Sequence, residues 1–97
     1  MTSLHLINKS CFNTNSLSNC LEICSNGDEL MLFEDGVYCA LKSNLLISNK
    51  LVTIYAIDID LSARGISKES IHQHVTIVSY SDFVALCCKH LNSVNWN

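Results

Sequence analysis

Six cysteines in 97 residues are the side chains of this chain best suited to chemistry. A cysteine thiolate can attack a sulfur atom, ligate a metal ion or enter a disulfide. Leu17, Cys20, Leu21 and Cys24 follow one another at i, i+3, i+4 and i+7, the spacing of one helical face. Cys20 is therefore either an inert core thiol or a reactive thiol held on a rigid helix.

The two cysteines of this face differ in their predicted position. On a helical wheel at about 100° per residue, Cys24 falls near the centre of the apolar stripe and Cys20 at its edge. An edge thiol can pack and still reach solvent or a partner. Cys20 would also lie about one turn into the helix, where the helix dipole favours a thiolate. These features alone favour a structural role for Cys20 over a reactive one, and Cys24 is assigned to the core.

The remaining cysteines give weaker indications. Cys87 and Cys88 fall within an apolar helical face, and Cys39 has apolar neighbours in sequence, so all three are expected to be core residues. Cys11 lies in a loop after the first apolar run, where only Lys9 is close enough in sequence to activate it.

A metal site is a further possibility that the spacing does not favour. Structural zinc usually shows two close ligand pairs. Cys20 and Cys24 form a single loose pair, and His72 and His74 form another in a polar segment. Two core cysteines and two surface histidines are the preferred interpretation, so no metal and no cofactor is assigned.

Several function classes are excluded by what the sequence lacks. It contains no Gly-x-Gly-x-x-Gly or Walker sequence, so nucleotide binding is rejected, and no Gly-x-Ser-x-Gly elbow of a hydrolase. A net charge of -3 and six scattered Lys and Arg residues argue against a nucleic-acid surface.

The elements that must position these side chains alternate along the chain. Strands are predicted at residues 4–7, 30–33, 51–56 and 75–78. Helical segments are predicted from a cap at residues 13–15 to a stop at Gly27, at 37–42, at 58–64, and from 80 or 81 to 91. Residues 43–50 are predicted to form a loop and Trp96 to close a tail. This alternation predicts right-handed crossovers and an α/β fold with a parallel sheet, whose sites lie beyond the carboxyl ends of the strands.

The bulk composition predicts one domain spanning residues 1–97 with a modest core. Hydrophobic residues make up 48% of the chain and charged residues 15%, an apolar surplus that we expect a subunit interface to bury. No signal peptide and no apolar run of about 20 residues is visible. A cytoplasmic setting is therefore expected, where cysteines are mostly free thiols, metal ligands or redox groups.

Short motifs in a fixed order run along nearly the whole chain. They are LHLINKS at residues 4–10, NSLSNC at 15–20, GDEL at 27–30, FEDGVY at 33–38, VTIYA at 52–56, DLSARGI at 60–66, YSDFV at 80–84, KH at 89–90 and Trp96. In this order they resemble the TusB/DsrH family of sulfur-relay subunits. The resemblance implies a small α/β parallel-sheet sandwich related to DsrE-type subunits.

The resemblance also implies partners and a pathway. The family implies a cytoplasmic heterohexamer with DsrE/TusD-like and DsrF/TusC-like subunits, which passes sulfur as a cysteine persulfide to a downstream carrier protein. The TusB branch serves 2-thiolation of wobble uridine in tRNA, and the DsrH branch serves dissimilatory sulfur oxidation. No direct contact with nucleic acid or membrane is expected.

Two cysteines indicate which branch of the family this sequence resembles more. Cys20 corresponds to the cysteine typical of DsrH-like members, whereas many TusB-like members have an apolar residue there, so the DsrH branch or a TusB that kept the thiol is favoured. Cys11 stands where the family typically has proline. The main sulfur-carrying cysteine of the family lies on the DsrE/TusD-type subunit.

Three hypotheses follow. The first is a non-catalytic or accessory sulfurtransferase subunit with Cys20 as candidate persulfide carrier. The second is a purely structural subunit of the same complex, and the third is a small metal-binding module built on Cys20, Cys24 and the histidines.

Overall fold

Residues 3–12, 14–44, 52–90 and 92–96 are described by a computed structural model. Within these ranges five parallel strands form one sheet in the order β4-β3-β2-β1-β5. The strands are β1 Ser3–Ile7, β2 Glu29–Leu32, β3 Thr53–Ile57, β4 Val75–Val78 and β5 Asn92–Trp96. The helices are α1 Ser16–Ile23, α2 Asp58–Ala63 and α3 Tyr80–Lys89, with 3₁₀ helices at Glu34–Ala40 and Lys68–Ser70. The predicted α/β parallel fold is confirmed.

The two faces of the sheet carry different side chains because successive residues of a strand point to opposite sides. His5 pairs in register with Leu30, so these two share one face, and Leu4 pairs with Glu29 on the other. Helix α1 packs on the His5 face, where Cys20 lies against that ring. Helix α3 packs on the Glu29 face, where its Lys89 reaches the carboxylate.

The core extends along both faces of the central strand β2. All four of its residues are buried, which agrees with the continuous apolar run expected of a strand covered on both sides. The largest fully buried side chains of the core are Leu4, Ile7, Leu17, Cys20, Leu30, Met31, Leu32, Val37, Cys39 and Ile54.

Strand β5 was not predicted, and the expectation of a tail around Trp96 is wrong. The sequence of β5, Asn-Ser-Val-Asn-Trp, lacks an apolar pattern because most side chains of this strand are exposed. The strand is held by parallel pairing with β1 over its whole length and by the contact of Trp96 with His5.

Helix α1 ends earlier than predicted. It spans Ser16–Ile23, and Cys24 caps it in an extended conformation. Gly27, expected to end the helix, instead has a φ of 90° in the turn before β2. The predicted cap lies at Asn15, although its side chain makes no capping hydrogen bond, and Asn13 lies outside the described residues.

Helix α3 begins as a capping box. The Ser79 hydroxyl accepts from the Asp82 N–H at 3.2 Å, and the Ser79 N–H donates to the Asp82 carboxylate at 3.2 Å. The apolar side chains that pack toward the sheet are Phe83 and Leu86, which are both partly buried. The predicted end of this helix at residue 91 lies outside the described residues, as do residues 45–50 of the loop predicted at 43–50.

The expectation that Cys87 and Cys88 are core residues is wrong, since both are exposed on α3. Apolar side chains extend most of the way around this helix, so the pattern did not determine which side packs. Among the described residues, no helix has the length and apolar character needed to cross a bilayer.

Candidate functional site

A cluster of His5, Cys20 and Cys24 lies between β1 and the end of α1. One ring nitrogen and the two Sγ atoms all lie within 4.8 Å of one another, and the two sulfurs are 3.7 Å apart. His5 and Cys20 are buried, whereas Cys24 is partly exposed. The cluster lies near the amino ends of β1 and β2, so the expectation that a site would lie beyond the carboxyl ends does not apply to it.

His5 is held by hydrogen bonds at both ring nitrogens. The Trp96 indole N–H donates to His5 Nδ1 at 3.1 Å. Because an indole nitrogen can only donate, Nδ1 is the acceptor and the ring proton resides on Nε2. His5 Nε2 then donates to Asp28 Oδ2 at 2.9 Å. These two hydrogen bonds thus define one tautomer and one orientation of the imidazole.

Asp28 anchors this arrangement from the turn before β2. Its carboxylate also accepts from the Ser3 N–H at 2.9 Å and the Ser25 N–H at 3.1 Å. Burial acts to raise the pKa of Asp28, but the hydrogen bonds from His5, Ser3 and Ser25 outweigh it and lower that pKa below its usual value. A buried carboxylate therefore faces the histidine and both thiols.

Both thiols of the cluster resist ionisation. Burial raises the pKa of Cys20 far above its usual range, and the nearby Cys24 and Asp28 raise it further. Burial also raises the pKa of Cys24, against the effect of its hydrogen bond with the Cys20 sulfur. Cys20 and Cys24 are protonated at neutral pH, so the helix dipole does not produce the thiolate that the sequence suggested for Cys20.

The helical wheel placed these two cysteines in the wrong order. The buried residues of α1 are Ser16, Leu17 and Cys20, so the buried stripe is rotated toward Cys20. Cys24 lies beyond the last helical residue and keeps partial access to solvent. Cys20 is the core thiol of the pair and Cys24 is the more accessible one.

Cys11 and Cys39 form a disulfide, with their Cα atoms 5.5 Å apart and a sequence separation of 28 residues. Cys39 is buried, as predicted, but the disulfide with Cys11 was not predicted. The Asn44 amide donates to the Cys39 carbonyl at 2.7 Å beside the bond. No secretory feature of the sequence signalled this pairing.

The predicted histidine pair does not join the cysteines. The rings of His72 and His74 stack with centroids 5.0 Å apart, in the segment before β4. Within the described ranges, the group of potential metal ligands that comes together contains His5 instead. Sequence spacing could not have identified His5, because it meets Cys20 only through the packing of α1 on the sheet.

A second polar cluster surrounds Glu29 on the opposite face of the sheet. Its carboxylate accepts from Tyr55 Oη at 2.5 Å, Lys89 Nζ at 2.9 Å and His90 Nε2 at 2.6 Å. Burial acts to raise the pKa of Glu29, but these three hydrogen bonds and the Lys89 charge lower it to about 2. Burial and the Glu29 hydrogen bond raise the pKa of Tyr55 to about 12. This network was not predicted from the sequence, and its hydrogen bonds join α3 to β2 and β3.

Comparison with known proteins establishes the family. Residues 9–93 match the family described as DsrH like protein. This chain belongs to the DsrH family. It is 34% identical over 96 residues to the protein TusB of Escherichia coli, a match covering 96% of this chain and 99% of that protein. TusB of Escherichia fergusonii shows the same identity and coverage.

Solved structures agree with the fold. The solution structure of Tm0979 from Thermotoga maritima is similar with a TM-score of 0.72 and 25% identity, covering 91% of this chain and 93% of that one. The protein MTH1491 of Methanobacterium thermoautotrophicum has a TM-score of 0.75 at 15% identity, with 97% of each chain covered. The resemblance to the TusB/DsrH family seen in the sequence is confirmed.

Proposed function

We propose that this DsrH-family chain is a cytoplasmic subunit of a sulfur-relay complex that serves 2-thiolation of wobble uridine in tRNA. The observation that carries the proposal is the 34% identity to TusB over nearly the full length of both chains. That similarity favours tRNA thiolation over dissimilatory sulfur oxidation, although Cys20 is the residue typical of DsrH-like members. The partners would be TusD-like and TusC-like subunits and a downstream sulfur carrier.

The outer surface of α3 supports a subunit role. No residue of this helix is fully buried, and its Tyr80 and Val84 side chains are 63% and 46% exposed. Cys87 and Cys88 are exposed on the same helix. Apolar side chains left in water by a single chain are the kind that a subunit interface buries.

Cys20 is proposed as the sulfur-carrying residue, and Cys24 as the accessible thiol that first receives the sulfur. Cys24, after losing its proton to solvent, would attack the outer sulfur of a partner's persulfide, forming a Cys24 persulfide and releasing the partner's thiolate. Cys20, whose sulfur lies 3.7 Å away, would then take the same outer sulfur and pass its own proton to the released Cys24 sulfur. No oxidant is consumed, because each step exchanges one sulfur–sulfur bond for another.

The rival hypothesis is a purely structural subunit. The burial of Cys20 and the raised pKa of both thiols favour it, because the thiolate is the attacking form. The two hypotheses share the complex and differ in whether this chain ever holds sulfur.

Deletion of the gene in its native host is expected to remove most of the 2-thiouridine from tRNA, because a required relay step is lost. Mass spectrometry of tRNA nucleosides measures this, and a plasmid copy of the unmodified gene should restore the modification. Normal thiolation in the deletion strain, with sulfur oxidation impaired instead, would place the chain in the other branch.

Loading with a persulfide donor tests Cys20 directly. In a Cys87→Ser/Cys88→Ser background, which removes the exposed thiols of α3, we expect the intact mass to rise by one sulfur atom. Because Cys20 is buried, the gained sulfur should survive brief treatment with a small thiol. In Cys20→Ser the sulfur would remain on the more accessible Cys24 and be removed.

The loading experiment separates the hypotheses through its controls. Cys24→Ser should slow loading by about tenfold or more, since the accessible attacking thiol is gone. Equal retention of sulfur in Cys20→Ser would reject Cys20 as the carrier. No mass gain in the starting background would favour the structural subunit.

A further inference from the structure

The group formed by His5, Cys20 and Cys24 has the composition of a metal site as well as that of a sulfur-handling pair. We propose that these three side chains bind a thiophilic divalent cation of the zinc type. The proposal goes beyond the relay function and does not depend on it. It rests on the ligand set, on the spacing of the sulfurs and on the groups that hold His5.

The spacing of the two sulfurs fits a shared tetrahedral ion. Thiolates bound to zinc at about 2.3 Å in tetrahedral geometry stand about 3.8 Å apart. Cys20 Sγ and Cys24 Sγ are 3.7 Å apart. The two cysteines therefore need no rearrangement to bind one ion together.

The histidine completes a ligand set of known chemistry. All three ligand atoms lie within 4.8 Å of one another, which allows one ion between them after small side-chain adjustments. Two cysteines and one histidine, with a fourth position left open, are the ligands of a catalytic type of zinc site. Partial exposure of Cys24 gives an ion access from solvent.

When Nδ1 of His5 binds the ion, Asp28 supplies the outer support that such a histidine needs. A metal-bound histidine almost always donates its other ring N–H to a carboxylate, a carbonyl oxygen or water. His5 Nε2 already donates to Asp28 at 2.9 Å, and Asp28 is itself fixed by two backbone N–H groups. A carboxylate next to the site also offsets the positive charge of the ion.

Metal binding must change the environment of Trp96. If Nδ1 of His5 binds the ion, it can no longer accept from the indole N–H. If Nε2 binds, the ring proton moves to Nδ1, which again cannot accept. The hydrogen bond from Trp96 to His5 is lost in both cases. Trp96 is the only tryptophan of the chain, so its fluorescence reports on the site.

Binding also excludes sulfur loading. Each Zn²⁺ would displace two thiol protons and leave both sulfurs bound to the ion. A metal-bound sulfur is not free to accept a persulfide sulfur. The cation-bound and sulfur-bound forms of the chain would therefore be mutually exclusive.

The test is a titration of the full chain, with its Cys11–Cys39 disulfide intact, by Zn²⁺ in competition with a chromophoric chelator. We expect one ion per chain and a parallel change in Trp96 fluorescence. Co²⁺ should give the thiolate-to-metal absorption and the intense visible bands of a tetrahedral site. Cys20→Ser and Cys24→Ser should each weaken binding by about 100-fold or more, and Asp28→Asn by about tenfold.

Matched controls keep the result interpretable. Cys87→Ser/Cys88→Ser and His72→Ala/His74→Ala remove other potential ligands and should leave the affinity unchanged. Cys24→Ser changes a partly exposed residue at a helix end, so loss of binding there cannot be attributed to a collapsed core. The absence of stoichiometric binding, or binding that survives both Cys20→Ser and Cys24→Ser, would overturn the proposal whatever the outcome of the tRNA thiolation experiment.

Discussion

Gly36→Ala is expected to lower the free energy of unfolding by about 3–5 kcal/mol, at the upper end of single substitutions. Gly36 is buried in the 3₁₀ helix Glu34–Ala40, and an added Cβ would lie 2.1 Å from the Ile7 carbonyl oxygen and 2.8 Å from its carbon. The same oxygen accepts a hydrogen bond from the Phe33 N–H at 3.1 Å. The clash is with backbone, so no side-chain rotation relieves it.

Gly65→Ala is the matched control. Gly65 has a φ of 67°, but a Cβ there would meet nothing within 4 Å. Its expected cost is about 1–2 kcal/mol, from the left-handed backbone alone. Urea denaturation followed by circular dichroism measures both variants. Equal destabilisation by the two substitutions would show that the close approach of Gly36 to β1 is not required.

Glu29→Gln is expected to destabilise the chain by about 2–3 kcal/mol at neutral pH, with the effect disappearing in acid. Hydrogen bonds from Tyr55, Lys89 and His90 hold the pKa of Glu29 at about 2, below its usual 4.5. A group whose pKa is lowered by folding stabilises the fold while it is ionised. This contribution is complete above pH 4.5 and is lost as the pH falls toward 2.

Urea denaturation between pH 7 and pH 3 measures this dependence. The difference in unfolding free energy between the unmodified chain and Glu29→Gln should shrink steadily below about pH 4.5. Glu69→Gln, at an exposed position of the 3₁₀ helix Lys68–Ser70, is the control and should show no such change. A difference that stays constant over this range would contradict the assigned role of Glu29.

The strands that could be predicted are those whose side chains are buried. The apolar run at residues 30–33 predicted β2 within one residue, because a strand covered on both faces must be apolar throughout. Strand β5 was not predicted because an exposed edge strand carries no such apolar pattern. It is stabilised instead by its pairing with β1. On α3 the helix was predicted, but the apolar residues on several sides left its packed face undetermined.

The candidate site was predicted only in part for the same reason. The spacing of Cys20 and Cys24 correctly placed two thiols close together, since it depends on local helix geometry. The apolar stripe did not show that α1 ends at Ile23. The sequence therefore predicted Cys24 as the buried cysteine and Cys20 as the accessible one, and the structure shows the reverse. His5 and Asp28 join through the parallel register of β1 and β2. That register is a tertiary feature without a sequence signature.

The strand order has a consequence for how the chain folds. Strands β1 to β4 can associate one neighbour after another, but β5 must return past all of them to pair Asn92 with Ser3. Until it does, β1 presents an open row of N–H and C=O groups, which is a template for a strand of another molecule. Closing so long a loop costs only about 1 kcal/mol more than closing the β1–β2 loop. The hazard is therefore kinetic, and intermolecular strand exchange during folding competes with the arrival of β5.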